Sequence, residues 1–311
     1  MIKYFRLLGL IALGIILWKV DLASVGQQLR SCNLALVGAA LGITFVAIAV
    51  KAIRWHLMMR ILDINSRYAT ALQLYLSGIF LGIATPGRLG ELARAVYAKE
   101  EFKADGSIIL ATVVMDRILD LYALAMVGIF ACYYFQFAER LSAFFIVVTV
   151  LIFVSPIVIG NPRIGRKVLR YFILKTPVSL QKPDLVSKME SFFDTIGYLL
   201  GTALIPPIFL TFVSYCLFLS AGVILAISLH IQTAVVGIVS ALGLAQLLSL
   251  VPVSVAGIGT RDAVFIICFV SMGLSTAMAI SYSTLVLSVF CIGTGMMGAA
   301  VFFANPIYKT R

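Results

Sequence analysis

Thr85-Pro86-Gly87-Arg88-Leu89-Gly90-Glu91-Leu92-Ala93-Arg94 lies between two long apolar runs. Proline lacks an amide donor and glycine accepts unusual backbone angles, so Pro86 and Gly87 interrupt any helix arriving from the preceding run. Arg88, Glu91 and Arg94 then recur every third residue, broadly on one side of a short helix. Charges this close to apolar spans are costly unless they are paired, hydrated or buried within protein. The stretch therefore predicts the polar centre of a membrane protein. The same ingredients return in Val251-Pro252-Val253-Ser254-Val255-Ala256-Gly257-Ile258-Gly259-Thr260-Arg261-Asp262.

Composition agrees. The 311 residues are 62% hydrophobic and 12% charged, with a mean hydropathy of +1.08. A soluble domain carries about twice that charged fraction. The fold class expected is an all-α polytopic membrane protein with no room for a sizeable soluble domain. The net charge of +11 would suggest nucleic acid in a soluble protein. Here it suggests cytoplasmic loops facing anionic lipid, and no nucleic-acid partner. Five scattered cysteines without a Cys-x-x-Cys pair, and two histidines far apart, argue against a metal or redox centre. There is no Walker loop, nucleophile elbow or His-Glu-x-x-His, and no cofactor is expected.

Apolar runs lie at about 5–20, 33–53, 68–85, 107–136, 141–160, 203–228, 232–251 and 263–303. The connection after the second run is basic (Lys51, Arg54, Arg60, Arg67). So are the long 161–200 connection and the tail Lys309-Thr310-Arg311. The positive-inside rule places all three in the cytoplasm together with the N-terminus, in the inner or plasma membrane. One crossing per run would put 161–200 outside. The conflict disappears if 68–98 is a re-entrant hairpin turning at Thr85-Pro86-Gly87, and 232–272 is a second hairpin entering from the other face. The full crossings are then about 5–20, 33–53, 107–136, 141–160, 203–228 and 280–303, in a single domain spanning 1–311. Non-helical backbone at membrane depth must be buried in protein or line a wet cavity. Two opposed hairpins suggest an inverted repeat with a site between them. Within the 161–202 loop, Leu185, Met189, Phe192, Phe193 and Ile196 recur at helical spacing from Pro183 to Leu200, which predicts a cytoplasmic amphipathic helix.

Three constellations carry the candidate chemistry. Arg88, Glu91 and Arg94 form either an anion site, with an arginine fork on a phosphate, or ordinary ion pairs of a loop helix. Asp116, Arg117 and Asp120 lie inside the 107–136 run. Asp116 and Asp120 share a face, and Arg117 can pair with Asp120. They form a ligand site, or a structural pair locking this helix to the first hairpin, or both. Gly257 and Gly259 precede Arg261 and Asp262. Glycines permit close backbone approach and helix-start amides favour phosphate; a flexible break between two half-helices also explains the glycines, but Arg261, with apolar sequence on both sides, favours the ligand reading. Arg54-Trp55-His56 reads as an interfacial anchor at the end of the second span.

Taken in order, Thr85–Arg94, the in-span Asp116-Arg-x-x-Asp120 and Pro252-x-x-x-x-Gly257-x-Gly-x-Arg-Asp262 resemble the lysylphosphatidylglycerol synthase transmembrane region, the flippase-like UPF0104 membrane family. Arg54-Trp55 adds minor support. The resemblance covers nearly the whole chain, with one departure: Asp262 stands where the family often has Glu. It implies the handling of anionic, aminoacylated or polyprenyl-linked lipids. The soluble aminoacyltransferase domain of the multiple peptide resistance proteins is not among these residues, so synthesis of lysylphosphatidylglycerol by this chain alone is not expected. The leading expectation is a lipid translocase. Arg88, Glu91, Arg94, Arg117 and Arg261 would line a polar cavity between the hairpins, with Asp116, Asp120 and Asp262 orienting them. The alternatives are a membrane glycosyl- or aminoacyl-lipid transferase, and a non-catalytic membrane partner of a separately encoded transferase.

Overall fold

The computed structural model describes residues 22–83, 85–136, 150, 154, 183–202, 204–249 and 257–304. Side chains are described at 23–83, 85, 90–136, 150, 154, 186–201, 204–249 and 257–304. The expected crossing 5–20, all of 141–160 but residues 150 and 154, the turn at Pro252 and the basic tail lie outside these residues. Every regular element among them is helical, as composition required. In chain order they are α1 (Leu22–Arg30), α2 (Leu34–Ile61), α3 (Tyr68–Ile83), a 3-10 segment (Pro86–Ala93), α4 (Arg94–Glu101) and α5 (Gly106–Tyr134). There follow α6 (Pro183–Thr202), α7 (Ile205–Ser228), α8 (Val235–Ser249), α9 (Thr260–Ser271) and α10 (Thr276–Leu287), with a π segment (Ser288–Gly293) leading into α11 (Thr294–Ala304).

Crossing a bilayer takes about 20 apolar residues. α2, α7 and the continuous stretch Thr276–Ala304 meet that by length and composition, at 28, 24 and 29 residues. α5 has the length, 29 residues, but carries Asp116, Arg117 and Asp120 in its interior. α3 and α8, with 16 and 15 residues, are too short to cross alone. The outer faces of the long helices expose Phe209, Phe212, Met296 and Phe303, a surface suited to acyl chains. The expected last crossing, 280–303, is longer than expected because the Ser275 hydroxyl accepts from the Met278 amide at 3.2 Å and starts the helix a turn earlier.

The chain does double back after α3. Thr85 leaves the helix in an extended conformation, and its hydroxyl accepts the Gly90 amide at 2.6 Å. The returning strand of chain lies against α3 because the facing residues are small. Glu91 packs on Gly82 and Arg94 on Gly78. A side chain on Gly90 would meet the Leu81 carbonyl. α8 and α9 also pack on each other. Gly257 and Gly259 have φ of +76° and +86°, angles that an L side chain rarely adopts.

Each helical pair has its own apolar core. Trp55, Met59, Leu74, Tyr75, Ile109 and Met115 pack together around the first hairpin. Leu225, Leu242, Phe265, Phe269 and Tyr282 pack around the second. α7 runs antiparallel along α2: the Asn33 amide donates to the Ser228 carbonyl at 2.9 Å, and Arg54 reaches Thr211 further along. The last helix joins the halves. α10 packs in the second core, while Gly298 of α11 lets its backbone approach Leu76 and Phe80 of α3. The expected amphipathic helix is present as α6, and its buried Ile196 and Leu199 turn it onto α5.

Gly90→Ala should cost about 1–3 kcal/mol, the usual range for overpacking against a fixed backbone. A fall in the thermal midpoint of the detergent-purified protein would register it; an unchanged midpoint would show that the Leu81 carbonyl does not confine the turn.

Candidate functional site

Helical spacing brings the charges together. α2 puts Lys51, Arg54 and Trp55 on adjoining turns, and α5 puts Asp116 and Asp120 one turn apart on one face. α7 sets Thr211 and Tyr215 in the same relation. The first hairpin contributes Tyr75 from α3 and Glu91 and Arg94 from its returning arm.

Arg54 is the centre. It is fully buried. Its Nε and Nη2 donate to Asp116 Oδ1 at 2.8 and 2.5 Å. Nη2 also reaches Asp120 Oδ1 at 3.0 Å, and Nη1 donates to Thr211 Oγ1 at 2.7 Å. The second oxygen of Asp116 accepts from Arg94 Nη2 at 2.6 Å and from the Tyr75 hydroxyl at 3.2 Å. Asp120 Oδ2 accepts from Lys51 Nζ at 3.0 Å, and its carbonyl accepts from the Tyr215 hydroxyl at 3.0 Å. Arg117 pairs with Glu91 and stands 3.8 Å from both Asp116 and Asp120.

Arg94 is held differently. Its guanidinium lies 4.6 Å from the Trp55 ring centre and 4.3 Å from that of Tyr75. Its Nε and Nη1 are buried without a hydrogen-bond partner among the described residues. The two aromatic faces provide cation–π attraction in their place. Trp55 is itself fixed by donation to Thr112 Oγ1 at 3.0 Å.

Among the described side chains, four cations (Lys51, Arg54, Arg94, Arg117) meet three carboxylates (Glu91, Asp116, Asp120), leaving one positive charge. Beside them lies a cavity of about 140 Å³. Lys51, Glu91, Arg117 and Asp120 supply its charged lining, while Ile79, Leu121, Leu124, Phe218 and Phe290 supply apolar lining. Gln246 of α8 also lines it, so both hairpins contribute to one space. Arg54, Arg94 and Asp116 sit behind this lining with almost no exposure.

The sequence-derived candidates therefore divide. Glu91, Arg117 and Asp120 line the cavity; Arg94 and Asp116 brace it. Arg88 is within the 3-10 segment, and its side chain lies outside the described ones. Arg117 takes Glu91 across the hairpin as its nearest partner, with Asp120 further off, so the chemistry and the locking of α5 to the hairpin share the same residues.

Arg261 and Asp262 are not part of this lining, which corrects the expectation that Arg261 faces the cavity. They form a separate buried cluster. Arg261 donates to Ser283 Oγ at 2.9 Å and to Asp262 Oδ1 at 3.2 Å. The Gly259 amide donates to Asp262 Oδ2 at 2.8 Å. The start of α9, read as a phosphate site, is thus capped by the chain's own carboxylate, the usual preference of an acidic residue in a first turn. Gly257 and Gly259 supply the turn that allows it.

Arg54 is the principal residue that the sequence reading misplaced. The second span does not stop at 53; α2 continues to Ile61, which carries Arg54 inside. Lys51, Tyr75, Thr211, Tyr215 and Gln246 were also missed. A signal existed: Lys51 and Arg54 three apart in an apolar helix complement Asp116 and Asp120 four apart in another. Gln246 is the one large polar side chain of α8.

A family model described as the lysylphosphatidylglycerol synthase TM region matches residues 6–292. A UPF0104 membrane protein of Methanocaldococcus jannaschii is 23% identical over 281 residues, covering 86% of this chain and 83% of that protein. A UPF0104 membrane protein of Pyrococcus horikoshii is 26% identical over 123 residues, 38% of this chain and 36% of that one. No solved structure matches.

Breaking a buried pair leaves a charge without its partner, at about 3–5 kcal/mol. Asp116→Asn should therefore strip most folded protein from the membrane fraction. Asp116→Asn with Arg94→Met should recover part of that loss, because Arg94 loses its carboxylate in the single variant while Arg54 keeps Asp120, so the orphaned charge is gone. Size-exclusion profiles and thermal midpoints of the two single variants and the double variant check it; additive losses would refute the coupling.

Proposed function

The chain belongs to the lysylphosphatidylglycerol synthase transmembrane-region family, and from that premise we propose that it is a lipid translocase that passes the polar head of a membrane lipid through the cavity between its two hairpins. The carrying observation is the mixed lining of that cavity. Lys51, Arg117, Glu91 and Asp120 stand beside Leu121, Leu124, Phe218 and Phe290, within a bundle whose outer faces are apolar. A lipid needs that combination: polar partners for its head at membrane depth, and apolar surroundings for its chains.

In this reading the head-group phosphate is held by the half-buried Arg117 guanidinium and Lys51 ammonium that line the cavity, while acyl chains remain in the bilayer. With no lipid bound, Glu91 and Asp120 pair those cations and keep them from being orphaned in low dielectric. The hairpins enter from opposite faces, so rocking of one half against the other would expose the cavity to each leaflet in turn, as in transporters built on discontinuous helices. N- and C-termini lie in the cytoplasm, and the protein resides in the plasma membrane. The carboxylates favour this over the transferase reading. Asp116, Asp120 and Glu91 are each engaged by arginine, which suits orientation better than proton transfer.

The test is lipid movement in liposomes reconstituted with purified protein and labelled phosphatidylglycerol, its lysyl derivative or a short polyprenyl phosphate. Wild-type protein should move at least one of them between leaflets. Glu91→Ala and Arg117→Ala should reduce the rate by about tenfold or more, equivalent to roughly 1.4 kcal/mol of lost stabilisation, while staying monodisperse. Wild-type rates in both variants, or no movement by folded wild-type protein, would overturn the proposal.

A further inference from the structure

The cavity continues past its charged groups into a neutral polar part. Trp55 meets Thr112, Arg54 meets Asp116 and Lys51 meets Asp120, so each turn back along α2 matches a turn forward along α5. In that register α2 next brings Thr44 to the lining and α5 brings Leu124. Thr44 stands two turns from Lys51, about 10 Å along the helix axis. α8 runs antiparallel to α5, with Gly237 against Tyr134 and Gly243 against Val127, which brings Gln246 to the level of Leu124. Thr294 enters the lining from the start of α11, where the adjoining Gly293 meets Leu41, one turn from Thr44.

The hydrogen-bonding capacity of these three residues is specific. Thr44 donates to the Ala40 carbonyl at 2.7 Å, and Thr294 donates to the Phe290 carbonyl at 2.9 Å. A hydroxyl has one proton, so with that proton committed each threonine can still accept but not donate. Gln246 supplies the opposite capacity. Its Oε1 lies 3.5 Å from Ser249 Oγ, and its amide nitrogen makes no hydrogen bond among the described residues. This part of the cavity therefore suits a neutral group that both donates and accepts, which describes a hydroxyl. An ammonium could donate to the threonines, but the acidic groups of the described lining are already held: Glu91 by Arg117, and Asp120 by Lys51 and Arg54. A further charge beside Phe218 and Phe290 would be expensive. A plain alkyl group would leave the Gln246 amide unpartnered.

Resting on the translocase reading, we propose that the head group taken by this cavity carries free hydroxyls, as a polyol or sugar esterified to the phosphate, and that Thr44, Thr294 and Gln246 read them. They are specificity residues that discriminate among lipids of equal charge.

The test measures binding without transport and holds charge constant. Purified protein in detergent is titrated calorimetrically with dioctanoyl phosphatidylethanol, phosphatidylglycerol and phosphatidylinositol. All are monoanionic phosphodiesters; their alcohols carry no free hydroxyl, a pair, and a full ring of them. The tighter of the two polyol lipids should bind about tenfold or more tightly than phosphatidylethanol. Thr44→Val, Thr294→Val and Gln246→Leu should each lower that ratio by about threefold or more, the usual worth of one neutral hydrogen bond. Thr44→Ser, which restores the hydroxyl, should keep it. If Gln246→Leu does not fold, the two valine variants, close in shape to threonine, still decide the matter. Phosphatidylethanol bound as tightly as both polyol lipids, no binding of any probe, or an unchanged ratio in every folded variant would overturn the proposal. So would phosphatidylethanolamine, an ammonium in place of the hydroxyls, binding as tightly as the polyol lipids. A protein that shows the hydroxyl preference yet moves no lipid in liposomes would overturn the translocase reading alone. One that moves lipids with no such preference in binding would overturn this inference alone.

Discussion

An arginine with no exposed surface stands within an apolar helix, and much of the arrangement answers to that constraint. A guanidinium cannot shed its charge in a protein, and it presents five donors in a fixed plane. Arg54 meets two carboxylates of α5 and a hydroxyl of α7. Those contacts set α2, α5 and α7 relative to one another. Desolvating these groups is costly, so the network says less about net stability than about uniqueness: few other packings of these helices would leave every charge partnered.

The same economy explains how the first hairpin is held. Its arms are too short to cross a bilayer, and hydrophobic packing alone gives little preference between protein and lipid contacts. Direct close packing through Gly78, Gly82 and Gly90 brings the returning arm against α3. Arg94 to Asp116 and Glu91 to Arg117 then tie that arm to α5. Stacking of Arg94 on Trp55 and Tyr75 adds attraction where hydrogen bonds are not made. In the second half the corresponding tie is inward-looking. Arg261, Asp262 and Ser283 satisfy one another and cap α9, which among the described residues leaves Gln246 as that hairpin's polar contribution to the cavity.

The cavity sits between the two apolar cores, at a seam that neither fills. Its far lining depends on a local departure from α geometry. The six-residue π segment Ser288–Gly293 contains Phe290, whose ring lies 4.5 Å from that of Phe218, and both line the cavity. π segments inside α-helices re-aim side chains and are frequent at functional sites. Half-buried Lys51 and Arg117 at the lining stand in front of fully buried Arg54 and Arg94, which gives this seam a graded character.

Composition and hydropathy alone determined that this chain is a helical membrane protein. Bilayer thickness and backbone satisfaction leave few other structures for so apolar a sequence. The break at Thr85-Pro86-Gly87 and the charged residues Glu91, Arg94, Asp116, Arg117 and Asp120 were equally legible, because proline chemistry and the cost of charge in lipid are local properties. Partnership was not. Arg54 looked like an interface anchor until α2 continued past it, and Asp262 looked like part of a ligand site until it capped its own helix. Lys51, Tyr215 and Gln246 belong to three different helices, distant in the chain. Only tertiary packing places them on one cavity, since the distance between two side chains on separate helices depends on crossing geometry that no local residue pattern encodes.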